Sequence, residues 1–392
     1  MNQVAVVGVG MTRFGKQPEK SLKQLAREAA RAALDDAGMT EQSIEAVFVS
    51  NSMAGSLWGQ QNIRGQVFLA GTGLDGIPIF NVDNACAGGS TAFHLACVSV
   101  LSGLYDTVLA LGAEKMIHPD KERTFRAFEG GTDVEHLSEL SVDGQGQKSI
   151  FMDFYAGEAL RHMELYGTPV EVFAKIAEKN SRHGSLNPYA QYQKVNTVES
   201  IMASRMVSYP LHLLMCSPLS DGAAAAIVTR EKLARRWTSR PVFVAGSVVL
   251  SIETGAGKEK SNIERAAEMA YAQSGVGPRD LDLLEVHDAA SPGELWAYEK
   301  LMLCDPGEGA KLVESGDVAL GGRIPVNPSG GLISRGHPIG ATGLAQIAEV
   351  VWQLRGEAGK RQVEGARVGL TQNSGGFLKG EEAVASVHVL TR

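Results

Sequence analysis

The sequence predicts an α/β protein whose two halves repeat one structural unit, with a long insertion in the first half. Three observations carry this expectation. Apolar runs of strand length alternate with segments whose apolar residues recur at helical spacing. A helix–glycine–strand unit in the first half returns in the same order in the second. A glycine-rich segment holding a lone cysteine aligns with a glycine-rich segment holding a histidine, one in each half.

The elements follow in order. Val4-Ala5-Val6-Val7-Gly8-Val9-Gly10 reads as a buried strand entering a turn. Gly8-Val9-Gly10 has the form of an incipient dinucleotide loop, but no third glycine follows in register and no helix opens there. Residues 21–37 read as a helix on Leu22, Leu25, Ala29, Ala32 and Ala33, stopped by Gly38. Residues 44–49 are the next strand. In the second half, residues 263–274 form the matching helix with Ala266, Ala267 and Ala270, Gly275 ends it, and residues 281–286 are the strand. Setting Gly38 on Gly275 also pairs Ala29 with Ala266 and Val49 with Val286, and residues 242–246 answer the first strand.

A second pairing, in a different register, lays Cys86-Ala-Gly-Gly89-Ser-Thr91 over His337-Pro-Ile-Gly340-Ala-Thr342. Each segment is expected to open a helix and to lead toward a later strand, residues 107–111 and 368–371. If the halves pack as pseudo-symmetric mates, Cys86 meets His337, a pairing that generates a nucleophilic thiolate. Cys86 is expected in the first helical turn, where unpaired N–H groups lower a thiol pKa; the alternative is a small buried hydrophobe. Between the halves, residues 115–218 form an insertion with a loop-like run (Gly130-Gly131-Thr132, Gly144-Gln145-Gly146) and helical patterns over 154–166 and 170–182. Strand character returns at 223–228. The two domains are therefore 1–240, insertion included, and 241–392.

Composition narrows the function. The chain has 392 residues, a net charge of -7 and no basic block, so nucleic acid and anionic membrane surfaces are poor partners. No apolar stretch reaches the roughly 18 residues of a membrane span. The four cysteines, Cys86, Cys97, Cys216 and Cys304, are widely spaced and read as reduced thiols, and with no secretory leader the expected location is cytoplasmic. No CxxC, HExxH or carboxylate cluster calls for a metal.

Several motifs then fall in a family order: Cys86-Ala-Gly-Gly-Ser, Tyr155-Ala156, His162-Met163-x-x-Tyr166-Gly167, Asn187-Pro188, and Cys216-Ser-Pro-Leu-Ser-Asp221-Gly. Glu285-Val-His287-Asp288-Ala, Asn327-Pro-Ser-Gly-Gly331 and Gly336-His337-Pro-Ile-Gly340-Ala-Thr-Gly343 follow. On these residues the chain resembles the thiolase superfamily, and within it the sterol-carrier-type thiolases and thiolase-like proteins. The resemblance implies the five-layer αβαβα fold with two pseudo-repeated halves and an inserted loop domain. It implies that Cys86 accepts an acyl group from coenzyme A, that His337 activates it, and that His287 helps hold the enolate of the second acyl-CoA. The backbone N–H groups of Cys86 and Gly375 correspond to the oxyanion hole.

One departure stands out. Asn373 occupies the place of the family's second cysteine, and Ala289 follows His287-Asp288 where sterol-carrier types supply one instead. An amide does not take a proton from carbon at neutral pH. The acid/base at carbon is then His287, His337 or an unrecognised group, with Asn373 an uncertain position. The expected reaction is thiolytic cleavage of a 3-oxoacyl-CoA, or the reverse Claisen condensation, through acyl-Cys86. The resemblance extends to bulky steroid or aromatic (benzoylsuccinyl-type) CoA thioesters. It also implies no permanently bound cofactor, a homodimer or higher oligomer, and a small OB-fold/zinc-ribbon partner protein. The alternatives are a thiolase-like retro-aldol lyase acting on a CoA ester and a non-catalytic acyl-CoA or lipid carrier.

Overall fold

The computed structural model describes residues 3–137, 149–255 and 259–392; the Gly144-Gln145-Gly146 run lies outside them. The first half contributes β1 (Val4–Met11), β2 (Ala46–Ser50), β3 (Ile79–Val82), β4 (Thr107–Lys115) and β7 (Asp221–Arg230). The second contributes β8 (Val242–Ser251), β9 (Leu283–Glu285), β10 (Val368–Leu378) and β11 (Glu381–Thr391). A separate short hairpin joins β5 (Met206–Ser208) and β6 (Leu211–His212).

The strand order is β3-β2-β4-β7-β1-β8-β11-β10-β9. Read outward from the β1–β8 junction, the two arms match. β7 and β11 run antiparallel to their inner neighbours, β4 and β10 antiparallel to those, and β2 and β9 parallel to β4 and β10. β3 is paired parallel to β2, whereas its counterpart is a single bridge between Leu284 and Val326. The halves meet edge to edge where Val4, Ala5 and Val6 oppose Val244, Phe243 and Val242.

Alternation along each strand builds the layers. Ala5 and Val7 of β1 pack with Leu25, Ala29 and Ala33 of the Leu22–Ala37 helix. Val4 and Val6 point the other way, into a core with Ala92, Phe93, Leu344 and Ala348. Those last residues belong to two central helices, Gly88–Leu101 and Ile339–Arg355. In the second half, Ala385, Val387 and Val389 face Ala266, Ala267 and Ala270 of the Asn262–Ser274 helix. His388, on the opposite face of β11, lies against Phe93 of a central helix. The sequence of layers is helix, sheet arm, paired helices, sheet arm, helix, as the αβαβα expectation requires.

Glycine makes the inner contacts close enough. A Cβ on Gly343 would lie 2.2 Å from Ser90 Oγ, and one on Gly112 would lie 2.2 Å from the Gly340 carbonyl. The Gly8-Val9-Gly10 run serves the same end: it continues as strand inside β1 instead of turning as expected, and a Cβ on Gly8 would lie 2.3 Å from the Ala33 carbonyl, so it packs a helix rather than a dinucleotide. The outer helices are capped as their sequences ask. Ser21 and Ser261 each form a capping box, and Gly38 and Gly275 close the C-termini in the left-handed conformation.

Between β4 and β7 the chain leaves the sheet. It forms the Lys121–Glu129, Ile150–Tyr166 and Val170–Ser185 helices and the β5–β6 hairpin. Val172, Phe173, Ile176 and Ala177 of the Val170–Ser185 helix join the second-half core, so the excursion is anchored on the far arm.

Candidate active site

Two equivalent corners bring the site together. β3 leads through Asp83 and Asn84 to Ala85, which is held at φ +48, and then to Cys86. A left-handed alanine costs roughly 1 kcal/mol or more, and neighbouring bonds hold it: Asp83 Oδ1 accepts from the Ala85 N–H (3.0 Å) and from Ser52 Oγ (2.6 Å). In the other half Gly336, at φ +107, turns the chain into His337, whose N–H donates to Ser220 Oγ (3.0 Å). The helices begin at Gly88 and Ile339, so Cys86 and His337 each stand two residues ahead of one rather than in its first turn. The sequence expectation is corrected here, and its consequence for the thiol is corrected with it. Burial, and then the charge of Glu114, push the Cys86 pKa up to about 12, against the pull of the Cys86 and Gly376 N–H groups.

The cysteine sulfur and one ring nitrogen of each of His287 and His337 lie within 4.8 Å of one another. The two imidazoles meet edge to face, with centroids 5.2 Å apart at 84°. His337 Nδ1 lies 2.7 Å from Thr342 Oγ1, and that hydroxyl is 3.0 Å from the Pro338 carbonyl. A carbonyl can only accept, so the Thr342 hydroxyl donates to Pro338 and accepts from His337 Nδ1–H. Nε2 of His337 is thereby left bare as a base. Burial, then the charges of His287 and Arg335, hold the His337 pKa well below the usual imidazole value. Cysteine and histidine are both neutral at rest.

His287 follows β9, with its N–H donating to Gln372 Oε1 (3.0 Å). Burial lowers its pKa to about 4, with the Asn373 side chain working weakly the other way. The neighbouring Asp288 is a buried anchor: it accepts from Asn180 Nδ2 (2.8 Å) and from the Leu332 N–H (2.6 Å). Asn373 donates to Gln346 Oε1 (2.8 Å), and Gln346 in turn donates to the Gln372 carbonyl (3.0 Å). This fixes the amide orientation and sets the Asn373 side chain close enough to His287 to act on it, although among the described residues neither Asn373 Oδ1 nor His287 Nδ1 has a hydrogen-bond partner of good geometry. Ala289 is buried in the adjoining apolar cluster with Tyr155 and Cys216.

Gly375 is where β10 touches the cysteine loop. A Cβ there would lie 2.1 Å from the Asn84 carbonyl and 2.7 Å from the Ala87 nitrogen. The amide next along, Gly376, is the one that reaches the Cys86 sulfur. Glu114, which the sequence reading did not single out, ties the two corners. Its carboxylate accepts from Asn51 Nδ2 and the N–H groups of Ser52, Met53 and Gly340. Burial nonetheless raises its pKa to about 7. Thr342 was visible only as a letter of the Gly340-Ala-Thr-Gly run, and its role required the folded geometry.

The three groups open onto a cavity of about 920 Å³. Phe125, Phe128, Phe151, Tyr155 and Phe377 form an aromatic wall. Arg13, Lys16, Lys121 and Arg205 stand exposed at the cavity lining, and among the described residues no salt bridge engages any of them. Cys216 also lines the cavity, whereas Cys97 is buried in the central core. No helix among the described residues is long and apolar enough to cross a membrane.

Comparison with known proteins agrees with this architecture. Residues 4–203 match the family model "Thiolase, N-terminal domain", and residues 252–391 match "Thiolase C-terminal domain-like". An acetyl-CoA acetyltransferase from Methanothermobacter thermautotrophicus is 42% identical over 100% of both chains. Human sterol carrier protein 2 is 41% identical over 96% of this chain and 70% of its own. A solved structure titled "Ltp2-ChsH2(DUF35) aldolase" superposes with a TM-score of 0.83 over 99% of this chain and 97% of that one, at 23% identity.

Proposed function

Since the chain belongs to the thiolase superfamily and is an acyl-CoA thiolase-type enzyme, we propose that it cleaves or forms 3-oxoacyl-CoA thioesters through acyl-Cys86. The observation that carries this reading is the convergence of the Cys86 sulfur with His287 and His337 at the floor of the cavity.

The resting pair is a thiol beside a neutral imidazole, so the proton moves as the sulfur attacks. Cys86 bonds to the 3-oxo carbon while its proton passes to His337 Nε2. The oxyanion is held by the Cys86 N–H and the amides of Gly375 and Gly376, donors of a kind worth about 2.7–4 kcal/mol each in the barrier. The carbon–carbon bond then breaks, its electron pair entering the thioester enolate, which His287 faces. The proton taken from Cys86 returns to that carbon through the histidine pair. In the second half-reaction the thiol of coenzyme A attacks the acyl group, and its proton travels by way of His337 to the Cys86 sulfur. One proton is carried in each half-reaction and the books close, so Asn373 and Ala289 need not supply another. Coenzyme A is a substrate here, with Arg13, Lys16, Lys121 and Arg205 set to meet its phosphates.

The aromatic wall suits a bulky, ring-bearing acyl group, the steroid or aromatic class expected from the sequence. Among the described residues the outer edge of β3 has no strand partner, and it offers the join for a homodimer. Leu160, Leu165 and Tyr166 are exposed on the Ile150–Tyr166 helix and suit a partner protein; the name of the solved neighbour also joins two components.

The test is acyl-CoA labelled in the acyl group. Label is expected on the unaltered protein and absent from Cys86→Ala; equal labelling of both refutes the reading. Consumption of coenzyme A during cleavage separates thiolysis from retro-aldol cleavage, which uses none, and release of product separates both from a carrier.

A further inference from the structure

The aromatic wall contains one polar corner that the acyl-transfer chemistry does not use. Phe377 and Glu382 are cross-strand partners in the β10–β11 hairpin, so their side chains stand on the same face. Both line the cavity, as does Tyr155. The Tyr155 ring is clamped: it stacks on Trp296 at 5.7 Å and 8°, and meets Phe377 edge-on at 5.8 Å. Glu382 lies close enough to Tyr155 to be the foremost charge acting on it, and Cys86 is the next.

Among the described residues neither polar group has a hydrogen-bond partner, and Glu382 has only a long ion pair with Lys300. Tyr155 is 2% exposed and Glu382 is 6% exposed. No described residue hydrogen-bonds the Tyr155 hydroxyl or the Glu382 carboxylate. The nearest cation to Glu382, Lys300, stays at 3.8 Å, beyond hydrogen-bond range, and lies over the Trp296 ring. A carboxylate and a phenol in so enclosed a place gain from a hydrogen-bond partner. Trp296, Phe377 and Lys300 leave the cavity side as the direction from which partners can come.

The chemistry of the missing partner follows from the two groups. The carboxylate only accepts, and the phenol of Tyr155 can donate. A carbonyl would satisfy Tyr155 alone, an ammonium would satisfy Glu382 alone, and a second carboxylate would be repelled. A hydroxyl gives its proton to Glu382 and accepts one from Tyr155, which completes both.

We infer that the Tyr155–Glu382 corner is a binding subsite for a hydroxyl carried on the ring of the acyl group, so that the preferred substrates are hydroxylated, ring-bearing 3-oxoacyl-CoA thioesters. This rests on the acyl-transfer reading and narrows it. A free acid on the ring end is disfavoured at this corner.

The experiment compares kcat/KM for 3-oxo-3-phenylpropanoyl-CoA with that for its 3-hydroxyphenyl and 4-hydroxyphenyl analogues. Each ratio is taken within one protein, so a general loss of activity or folding in a variant cancels. The unaltered protein is expected to favour at least one hydroxylated analogue by about tenfold or more. Tyr155→Phe and Glu382→Gln are each expected to bring that ratio to within about threefold of unity. Exchange of label between acetyl-CoA and free coenzyme A is measured on the unaltered protein alongside. Intact exchange with no hydroxyl preference, or a preference that survives both substitutions, overturns this inference alone. Absence of exchange overturns the acyl-transfer reading and this inference with it.

Discussion

Thr342→Val isolates the hydrogen bond that selects the base. Valine replaces threonine with nearly the same volume at a fully buried position, so the packing of the Ile339–Arg355 helix is kept. Only the hydroxyl between His337 Nδ1 (2.7 Å) and the Pro338 carbonyl (3.0 Å) is removed. The Nδ1–H tautomer then carries an unpaired donor inside the protein, at a cost of about 1–3 kcal/mol. The imidazole escapes by moving its proton to Nε2, which faces Cys86 and can then no longer receive the thiol proton. At one factor of ten per roughly 1.4 kcal/mol, acylation of Cys86 should slow about 5- to 150-fold. Rapid-quench acylation by labelled acetyl-CoA reads this directly, and Thr342→Ser, which keeps the hydroxyl, should stay within a few-fold of the parent. A Thr342→Val protein that acylates within twofold of the parent would show that the tautomer is set by something else.

Further outcomes follow from the same geometry. His287→Asn should leave acyl-Cys86 formation within a few-fold while slowing the carbon–carbon step by about 100-fold or more, which separate assays of acetyl exchange and of thiolysis distinguish. Since Cys86 is held near 12, its alkylation by iodoacetamide should accelerate steadily as pH rises from 7 to 10; a pH-independent rate down to pH 5 would mean a resting thiolate. Gly375→Ala drives a methyl against the Asn84 carbonyl and should cost about 1–3 kcal/mol or more in a denaturation titration, with loss of acylation. Stability should also fall in acid. His183 and His388 are held near 3 and His287 near 4, so the unfolded chain takes up protons below about pH 6.5 that the folded chain refuses. Glu114 and Glu285, held near 7, and Asp288, also raised by burial, oppose this only above their unfolded values near 4.5 and 3.8, so the melting temperature should drop most steeply below about pH 4. Finally, zinc should inhibit by gripping the Cys86, His287 and His337 atoms, and a chelator should reverse it.

The sequence carried the frame well because the frame rests on local signals. The capping boxes at Ser21 and Ser261, the stop glycines and the apolar periodicity of both outer helices are written within a few residues. The repeat then supplied the long-range pairing, since it put Cys86 and His337 at equivalent corners before any contact was seen. What the sequence hid depends on three-dimensional approach. The thiol pKa moved up rather than down because Cys86 precedes its helix and lies near Glu114, a residue 28 positions away whose charge no local pattern reveals. The Thr342 tautomer lock and the Tyr155–Glu382 corner likewise needed the cavity walls to be in place.

The β1–β8 seam also constrains how such a catalyst can arise. Two identical copies joined symmetrically at that seam would offer two cysteines across it, or two histidines, because equivalent positions must carry the same residue. A thiol facing its own image has no base, and an imidazole facing its image has no nucleophile. The chemistry therefore demands that the copies stop being alike at this one pair of corners while remaining alike enough elsewhere to close on each other. Covalent joining into a single chain is what permits that: each corner can vary without its mirror following, and asymmetry at the reaction centre becomes heritable inside a nearly symmetric body.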